Sequence, residues 1–258
     1  MCLLVFSYIE NKKSSTGFPG SLTLISNRDE YYERATQSMH WWGESGYVLA
    51  GKDLQAGGAW LGVSKDGRFA VITNYKEPVS EEININSRGE LVSNFILSKE
   101  LLAKDYLEDI NGEGYAGFNL ILGDKNGIHY FSNRTDIHNK INSGIHVLGN
   151  LLLNSETKKS QKAKDGFKEL INKNSSEETL LEFMENDSGD LSNLDMAGFK
   201  QREHEEIPYR FIKSEVYGTR CTTLLTINSK GLYRITEQTF SKRGKKTEKV
   251  FYEIKTMK

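Results

Sequence analysis

The second residue of the chain is a cysteine that could act as a nucleophile. Cys2 directly follows Met1 and begins the apolar run CLLVFSYI. A thiol needs a base or a positive charge nearby to form the reactive thiolate near neutral pH. If Met1 is removed, Cys2 carries its own α-amine, whose ordinary pKa is about 8, and this amine can accept the thiol proton. The alternative interpretation is that Cys2 is a small apolar residue at the start of a buried strand.

A run of four polar residues, NRDE, follows a second apolar segment. Asn27, Arg28, Asp29 and Glu30 come directly after SLTLIS. Polar groups at the end of a strand can be presented together at one edge of a sheet. In isolation these four residues are more typical of a solvated turn after a strand.

Other catalytic and metal-binding patterns are absent from the sequence. It has no G-x-S-x-G, no HExxH and no CxxCH, and GGAWLG lacks the GK[ST] ending of a phosphate-binding loop. Two distant cysteines cannot form a zinc knuckle. We therefore expect no metal site. Each histidine, considered alone, is more typical of a surface or core residue than of a metal ligand. The five histidines are His40, His129, His138, His146 and His204.

Composition favours one globular domain over residues 1–258. The chain is 37% hydrophobic and 27% charged, and its formal net charge is -1, with 34 basic and 35 acidic residues. Such a balance gives no field that would attract phosphate backbones or anionic lipid. The apolar start is too short to span a bilayer and lacks the features of a signal peptide. We expect a cytoplasmic protein without nucleic-acid partners or stable membrane insertion, and with free thiols at Cys2 and Cys221.

The periodicity predicts strands at both ends of the chain and helices between them. Strands are predicted for CLLVFSYI, SLTLISN, the hairpins 60–75 and 116–133, and three segments after residue 219. Helices are predicted for 88–104, 158–173 and 175–186, with capping boxes at Ser87/Glu90 and Ser175/Glu178. Residues 187–208 are predicted to be a polar surface excursion. This order indicates an α+β fold with antiparallel sheets.

Taken together, the motifs resemble a known family. Cys2, NRDE, GGAWLG, TNY, SRGEL, FNLILGD, HVLGN and YGTRCTTLL follow one another along nearly the whole chain. In this order they resemble the NRDE-domain family, also called the transport and Golgi organization protein 2 family. That family is similar to the N-terminal-nucleophile hydrolases, so the resemblance implies a four-layer αββα sandwich of two antiparallel sheets.

The resemblance also implies a site. In the similar cysteine acylases that cleave penicillin V or conjugated bile salts, a processed cysteine is the nucleophile, and arginine, aspartate and asparagine side chains complete the site. The motifs carry these catalytic roles to Cys2, Arg28, Asp29, Asn74, Asn150 and Arg220. Substrate contacts are expected from Asn27, Glu30, Trp60 and His146. The family usually has GGTWLG and LSN, where this sequence has Ala59 and Gly149, so two hydroxyl groups are missing from the expected polar network.

Two functions follow as hypotheses. The first is an amidohydrolase that cleaves a linear C–N bond of an acylated or peptide-like metabolite through an acyl-enzyme on Cys2. The second is a carrier or chaperone, without catalysis, that holds haem or an acyl chain in the same cleft, with arginines on its carboxylates and Trp41, Trp42 and Trp60 against its body. No cofactor is expected, apart from haem as a carried ligand. If Arg220 faces the cleft, strand alternation predicts that Cys221 faces away from it as a buried thiol that is not bonded to Cys2.

Overall fold

Two large antiparallel sheets form the centre of the molecule. The computed structural model describes residues 2–11, 18–76, 86–99, 101–135, 137–194 and 207–256. The strands are β1 (Cys2–Glu10), β2 (Gly20–Tyr31), β3 (Thr36–Trp42), β4 (Val48–Asp53), β5 (Leu61–Ser64), β6 (Phe69–Asn74), β7 (Phe118–Asp124), β8 (Gly127–Ser132), β9 (Ile137–Lys140), β10 (Gly144–Leu148), β11 (Ser188–Asp190), β12 (Phe211–Lys213), β13 (Tyr217–Ile227), β14 (Leu232–Ser241) and β15 (Lys245–Lys255). The helices are α1 (Arg88–Leu97), α2 (Ala103–Glu108), α3 (Lys158–Asn172) and α4 (Glu177–Glu185).

The two sheets take their strands from different parts of the sequence. The first sheet has the order β10-β1-β2-β13-β14-β15, so strands from both ends of the chain pair at its centre. The second sheet runs in sequence order from β3 to β9. All neighbours in these two sheets are antiparallel, including strands that are distant in the chain, such as β2 with β13 and β6 with β7. The short strands β11 and β12 form a separate parallel pair.

Three apolar clusters produce the four layers. Alternate residues of β1, such as Leu4 and Phe6, pack between the two sheets against residues of the second sheet such as Val71. The opposite face of β1, with Leu3 and Val5, packs against α3 and α4. The outer face of the second sheet packs against α1 and α2. The predicted α+β fold with an αββα sandwich is confirmed.

The helix boundaries differ from the sequence predictions in two places. The helix predicted for residues 88–104 is two helices, and Arg68 donates to the carbonyl oxygens of Phe95 (2.9 Å) and Leu101 (3.4 Å) beside the break. Ser87 occupies the N-cap position of α1 but its side chain makes no capping hydrogen bond. The Glu90 carboxylate instead accepts a hydrogen bond from the Tyr115 hydroxyl at 2.6 Å.

The second predicted capping box does not form, because the N-cap of α4 lies one residue further along the chain. Ser176 caps α4, and its hydroxyl accepts from the backbone N–H of Thr179 at 3.2 Å. Glu178 forms an ion pair with Lys249 at 2.6 Å rather than reaching back to the helix start. The predicted excursion 187–208 contains the short strand β11. Its residues 195–206 lie outside the described residues, and so does Met1 at the start of the chain. Within the described ranges, no helix combines the length and apolar character needed to cross a membrane.

Candidate active site

Three central strands bring Cys2 and Arg28 together. Cys2 is the first residue of β1, and its cross-strand partner on β2 is Arg28. Arg28 is in turn paired with Cys221 on β13. Paired residues project to the same face of a sheet, and Leu4 and Phe6, which share the parity of Cys2, pack between the two sheets. Cys2 and Arg28 therefore lie at the end of the space between the sheets.

A cavity of about 360 Å³ opens at this end of the sandwich. Its size is within the usual range for a small-molecule site. Of the ten predicted site residues, six line it: Cys2, Arg28, Asp29, Glu30, Trp60 and Asn74. The remaining wall comes from the end of β4, the segment between β4 and β5, Ile72 of β6 and the start of α1, together with Arg34 and Ala116.

The Cys2 thiol is held in its protonated form. Burial raises its pKa, and the charge of Asp29 acts in the same direction. The guanidinium of Arg28 and a hydrogen bond from the Asp29 backbone lower the pKa, but by less than burial raises it. The thiol consequently needs a proton acceptor before it can act as a nucleophile.

Asp29 is a buried carboxyl group beside the thiol. Only 2% of the residue is exposed, and Thr219 donates its hydroxyl proton to Oδ1 at 2.7 Å. Burial raises the pKa of Asp29, whereas the charge of Lys159, the Thr219 hydrogen bond and the charge of Arg28 lower it. The β13 strand thus fixes the orientation of this carboxyl group relative to Cys2.

Arg28 combines deep burial with few partners. The residue is 7% exposed, and its guanidinium stacks on the Trp60 ring at 4.4 Å. Its ion pair with Asp53 is long, at 3.5 Å. Among the described residues no group accepts a hydrogen bond from Nη1, and the indole Nε1 of Trp60 also has no acceptor there. The guanidinium supplies positive charge to the cavity.

The two predicted asparagines occupy different positions. Asn74, the last residue of β6, lines the cavity, and the structure shows no hydrogen bond from its side chain to a described residue. Asn150 lies behind it, and its Nδ2 donates to the backbone oxygen of Asn74 at 2.9 Å. Asn150 lines a separate cavity of about 110 Å³. Its contact positions Asn74 rather than reaching the thiol.

Arg220 does not line the Cys2 cavity. It is the extra residue of a β-bulge, because the pairing of β13 with β2 shifts between Thr219 and Cys221. Its guanidinium donates to the backbone oxygens of Tyr31 (2.7 Å) and Arg34 (2.9 Å). These contacts stabilise the connection between β2 and β3, so Arg220 has a structural role.

The bulge also changes the orientation predicted for Cys221. Cys221 shares the face of Arg28, and so of Cys2, instead of pointing away from it. It is 2% exposed, and burial raises its pKa well above the ordinary value. Both cysteines are free, and β2 separates their strands by about 10 Å, which is beyond disulfide reach. The predicted buried, unbonded thiol is confirmed.

Asn27 and His146, two predicted substrate contacts, are bound elsewhere. Asn27 is fully buried on the helix side of the sheet, where it donates to the Arg210 backbone at 2.7 Å and accepts from Thr222 at 2.6 Å. His146 stacks on Phe6 with 5.0 Å between ring centroids. Burial lowers the pKa of His146, and this residue does not line the cavity. Both residues support the sheet beneath the cavity.

Sequence reasoning missed three contributors to the cavity. Asp53 at the end of β4 accepts a 2.5 Å hydrogen bond from Nε of Arg34, and both residues line the cavity. The third contributor is the start of α1. A side chain at Gly58 would overlap the backbone of Gly89, so the GGAWLG and SRGEL motifs are in close contact. Both motifs were visible in the sequence, but their spacing along the chain gave no sign of this contact.

Only one of the three tryptophans, all of which lie in the described residues, lines the cavity. Trp41 packs edge-on against Tyr252, and Trp42 donates to the backbone oxygen of Ala50 at 3.0 Å. Neither lines the cavity, whereas Trp60 does. Among the described residues, no three His, Cys, Asp or Glu side chains are grouped closely enough to hold a metal ion.

Comparison with known proteins gives a consistent relationship over the length of the chain. The profile of a family described as Transport and Golgi organisation 2 matches residues 1–242. The Transport and Golgi organization 2 homolog of Mus musculus and the corresponding protein of Homo sapiens are each 29% identical over 259 residues, covering 92% of both chains. A solved structure of a mutant conjugated bile acid hydrolase from Clostridium perfringens aligns over 98% of this chain and 92% of its own, with 10% identity and a TM-score of 0.46.

Proposed function

The chain belongs to the Transport and Golgi organisation 2 family, and on that premise we propose that it is a hydrolase that cleaves a linear amide bond with the Cys2 thiol as nucleophile. One observation carries the proposal. Cys2 stands at the start of a central strand and lines a cavity together with a guanidinium, a buried carboxyl group and an asparagine side chain. These are the groups that an acyl transfer to sulfur requires.

Removal of Met1 supplies the missing base. The raised pKa of the thiol means that it is protonated at neutral pH. A free α-amine on Cys2, with an ordinary pKa of about 8, can take the thiol proton directly or through a water molecule. Asp29, whose backbone already contacts the cysteine sulfur, is placed to accept a hydrogen bond from that amine and to orient it.

The reaction then proceeds in two balanced steps. The sulfur attacks the carbonyl carbon, and Asn74 donates a hydrogen bond to the oxyanion that forms; one such donor is typically worth about 3 kcal/mol. The C–N bond breaks, and the leaving amine takes the proton that the Cys2 amine accepted. Water attacks the thioester, which releases the carboxylic acid and restores the thiol. Asn150 acts only through Asn74, whose backbone it holds.

The carrier hypothesis uses the same cavity without a reaction. Trp60 and Arg28 would contact the body and the acidic group of a bound haem or acyl chain. Trp41 and Trp42, which this hypothesis also assigned to the ligand, pack away from the cavity. The hydrolase therefore accounts for more of the residues that line the site.

Turnover of N-acyl anilides tests the proposal. Protein with a free Cys2 amine should release the aniline and form a thioester, which mass spectrometry detects as an acyl adduct on Cys2. Cys2→Ser should fold but lose nearly all adduct, because a hydroxyl is far less ionised than a thiol. Cys221→Ser is the matched control, since Cys221 is buried and should give wild-type turnover. Absence of any adduct in protein shown to lack Met1 would contradict the proposal and favour the carrier.

A further inference from the structure

The cavity contains a guanidinium whose hydrogen-bonding capacity is largely unused. Arg28 is 7% exposed, yet among described residues its one ionic contact is the 3.5 Å pair with Asp53. A buried charged donor without an acceptor costs several times what an ordinary missing hydrogen bond costs. Stacking on Trp60 stabilises the positive charge but accepts no hydrogen bond. The arginine is therefore arranged to receive an acceptor that the described chain does not provide.

The amino terminus of α1 lines the same cavity. Ser87, Arg88 and Gly89 contribute to the wall, and the Ser87 side chain accepts no hydrogen bond from the helix. The Glu90 N–H donates to the Ser87 carbonyl oxygen at 3.0 Å, and the start of a helix carries partial positive charge, which favours an anion. Because α1 has ten residues, this end is a suitable donor site for an anion.

The acidic residues of the cavity are engaged with other donors. Asp53 accepts from the backbone N–H groups of Gln55 and Ala56 and from Arg34, which leaves Arg28 at the longer distance. Glu30 accepts from the backbone N–H of Tyr31 at 2.9 Å. Further from the cavity, Glu237 accepts from Met39 and Thr223. Asp29 is bonded to Thr219 and faces the Cys2 amine in the proposed reaction.

We propose that the ligand of this cavity carries a carboxylate that binds between the Arg28 guanidinium and the amino terminus of α1, and that the amide substrate is accordingly an N-acyl amino acid. The second half of this statement rests on the proposed function. Arg28 is the direct cross-strand neighbour of Cys2, so their Cβ atoms are about 5 Å apart. An N-acyl amino acid places its carboxylate one carbon from the amide nitrogen, which suits this short separation between nucleophile and anion site.

Binding can be measured apart from catalysis in a Cys2→Ala variant. The probes are N-benzoylglycine and its neutral amide, titrated by calorimetry. The acid should bind at least about tenfold more tightly than the amide, which is the range expected for a charge-assisted hydrogen bond in a buried site. Equal affinity of the two probes, or binding of neither, would overturn the proposal.

Two variants of Ser87 test the helix end without risk to the fold. Asp and Asn are both favoured N-cap residues, so Ser87→Asp and Ser87→Asn should each preserve α1. Ser87→Asp places a carboxylate at the site and should weaken N-benzoylglycine binding about tenfold or more, whereas Ser87→Asn should bind within about twofold of the parent. Equal effects of the two variants would contradict an anion site at α1.

The arginine is tested by Arg28→Lys and Arg28→Gln in the same background. Lysine retains charge but not the planar fork, so we expect partial loss with lysine and loss of the acid-over-amide preference with glutamine. A preference that survives in folded Arg28→Gln protein would overturn the assignment. Inorganic phosphate is the remaining probe. If phosphate displaces N-benzoylglycine more strongly than acetate does, the site is one for a phosphate group, and the amino-acid substrate is refuted.

The two proposals fail in different ways. If N-benzoylglycine binds with the expected preference but no N-acyl amino acid is cleaved by protein with a free Cys2 amine, the hydrolase fails while the anion site stands. If neutral N-acyl anilides are cleaved faster than N-acyl amino acids, the hydrolase stands and the carboxylate assignment fails.

Discussion

Replacing Asp53 by Asn should weaken the fold and strengthen anion binding at the same time. Asp53 accepts a 2.5 Å hydrogen bond from Arg34 and a long ionic contact from Arg28. It also accepts the backbone N–H groups of Gln55 and Ala56. Its side chain is 11% exposed, so solvent screens these contacts only weakly.

The cost follows from what an asparagine can replace. Its oxygen can still accept from the two backbone N–H groups, but its amide nitrogen then points at two guanidinium groups. Losing a hydrogen bond to a charged group costs about 1.5–3 kcal/mol, and the unpaired buried Arg28 adds to this. We expect Asp53→Asn to reduce the free energy of unfolding by about 3 kcal/mol at pH 7. Asp165→Asn, at an exposed carboxylate on α3, should change it by less than about 0.5 kcal/mol.

Urea unfolding at several pH values checks the physical cause. The hydrogen bond from Arg34 is the largest of the contacts that lower the pKa of Asp53, and together they outweigh its burial, which acts to raise the pKa. A depressed folded pKa stabilises the protein above the unfolded value of about 3.9, and this stability is lost as the pH falls through the folded pKa. The difference between wild type and Asp53→Asn should therefore be constant above about pH 5 and shrink below about pH 4. A difference that is independent of pH would refute the ionic role of Asp53.

The same variant should bind N-benzoylglycine more tightly in the Cys2→Ala background. Asp53 competes with the ligand for the Arg28 guanidinium, so its neutralisation should improve affinity at least about threefold. Weaker binding in a folded Asp53→Asn protein would contradict this prediction, because Asp53 would then orient the arginine more than it competes with the ligand.

Three further substitutions have defined outcomes. Ser176→Ala should cost about 1 kcal/mol of unfolding free energy, measured in urea, because it removes the cap of α4, whereas Ser175→Ala should cost almost nothing. Gly123→Ala should destabilise the protein by about 1–3 kcal/mol, since the new methyl group would overlap the Phe69 ring; an unchanged melting midpoint would contradict this packing. Arg220→Gln should lower the melting temperature but leave the alkylation rate of the Cys2 thiol within about twofold, because its hydrogen bonds go to the backbone between β2 and β3.

The sequence was most informative where local pattern and position coincide. The strands at both ends and the helices between them follow from apolar periodicity, and the αββα layers were expected from the family resemblance. Cys2, Arg28 and Asp29 were assigned to one site through the family resemblance, and the structure brings them together because NRDE ends the strand that pairs with the start of the chain. Asn74 was likewise assigned through the resemblance, and the structure places it at the end of β6 in the other sheet.

The remaining site residues depend on features that a single sequence does not display. Arg220 leaves the cavity because one bulge shifts the alternation of β13. Asn27 alternates with Arg28 and so faces the helices, where carbonyl oxygens take its donors. Asp53 and Ser87 join the cavity through contacts between segments that are distant in the chain. Such long-range contacts depend on the register and on the packing of the layers.

The intact mass of the purified protein, before and after incubation with an N-acyl anilide, shows whether Cys2 is the nucleophile. We expect a chain that lacks Met1 and that gains one acyl group on Cys2, with no gain in Cys2→Ala protein that has been processed in the same way. Cys221 should remain unmodified, because its thiol is buried. Protein that lacks Met1 but never gains an acyl group, or that gains it equally in Cys2→Ala, would contradict the assignment of Cys2 as the nucleophile.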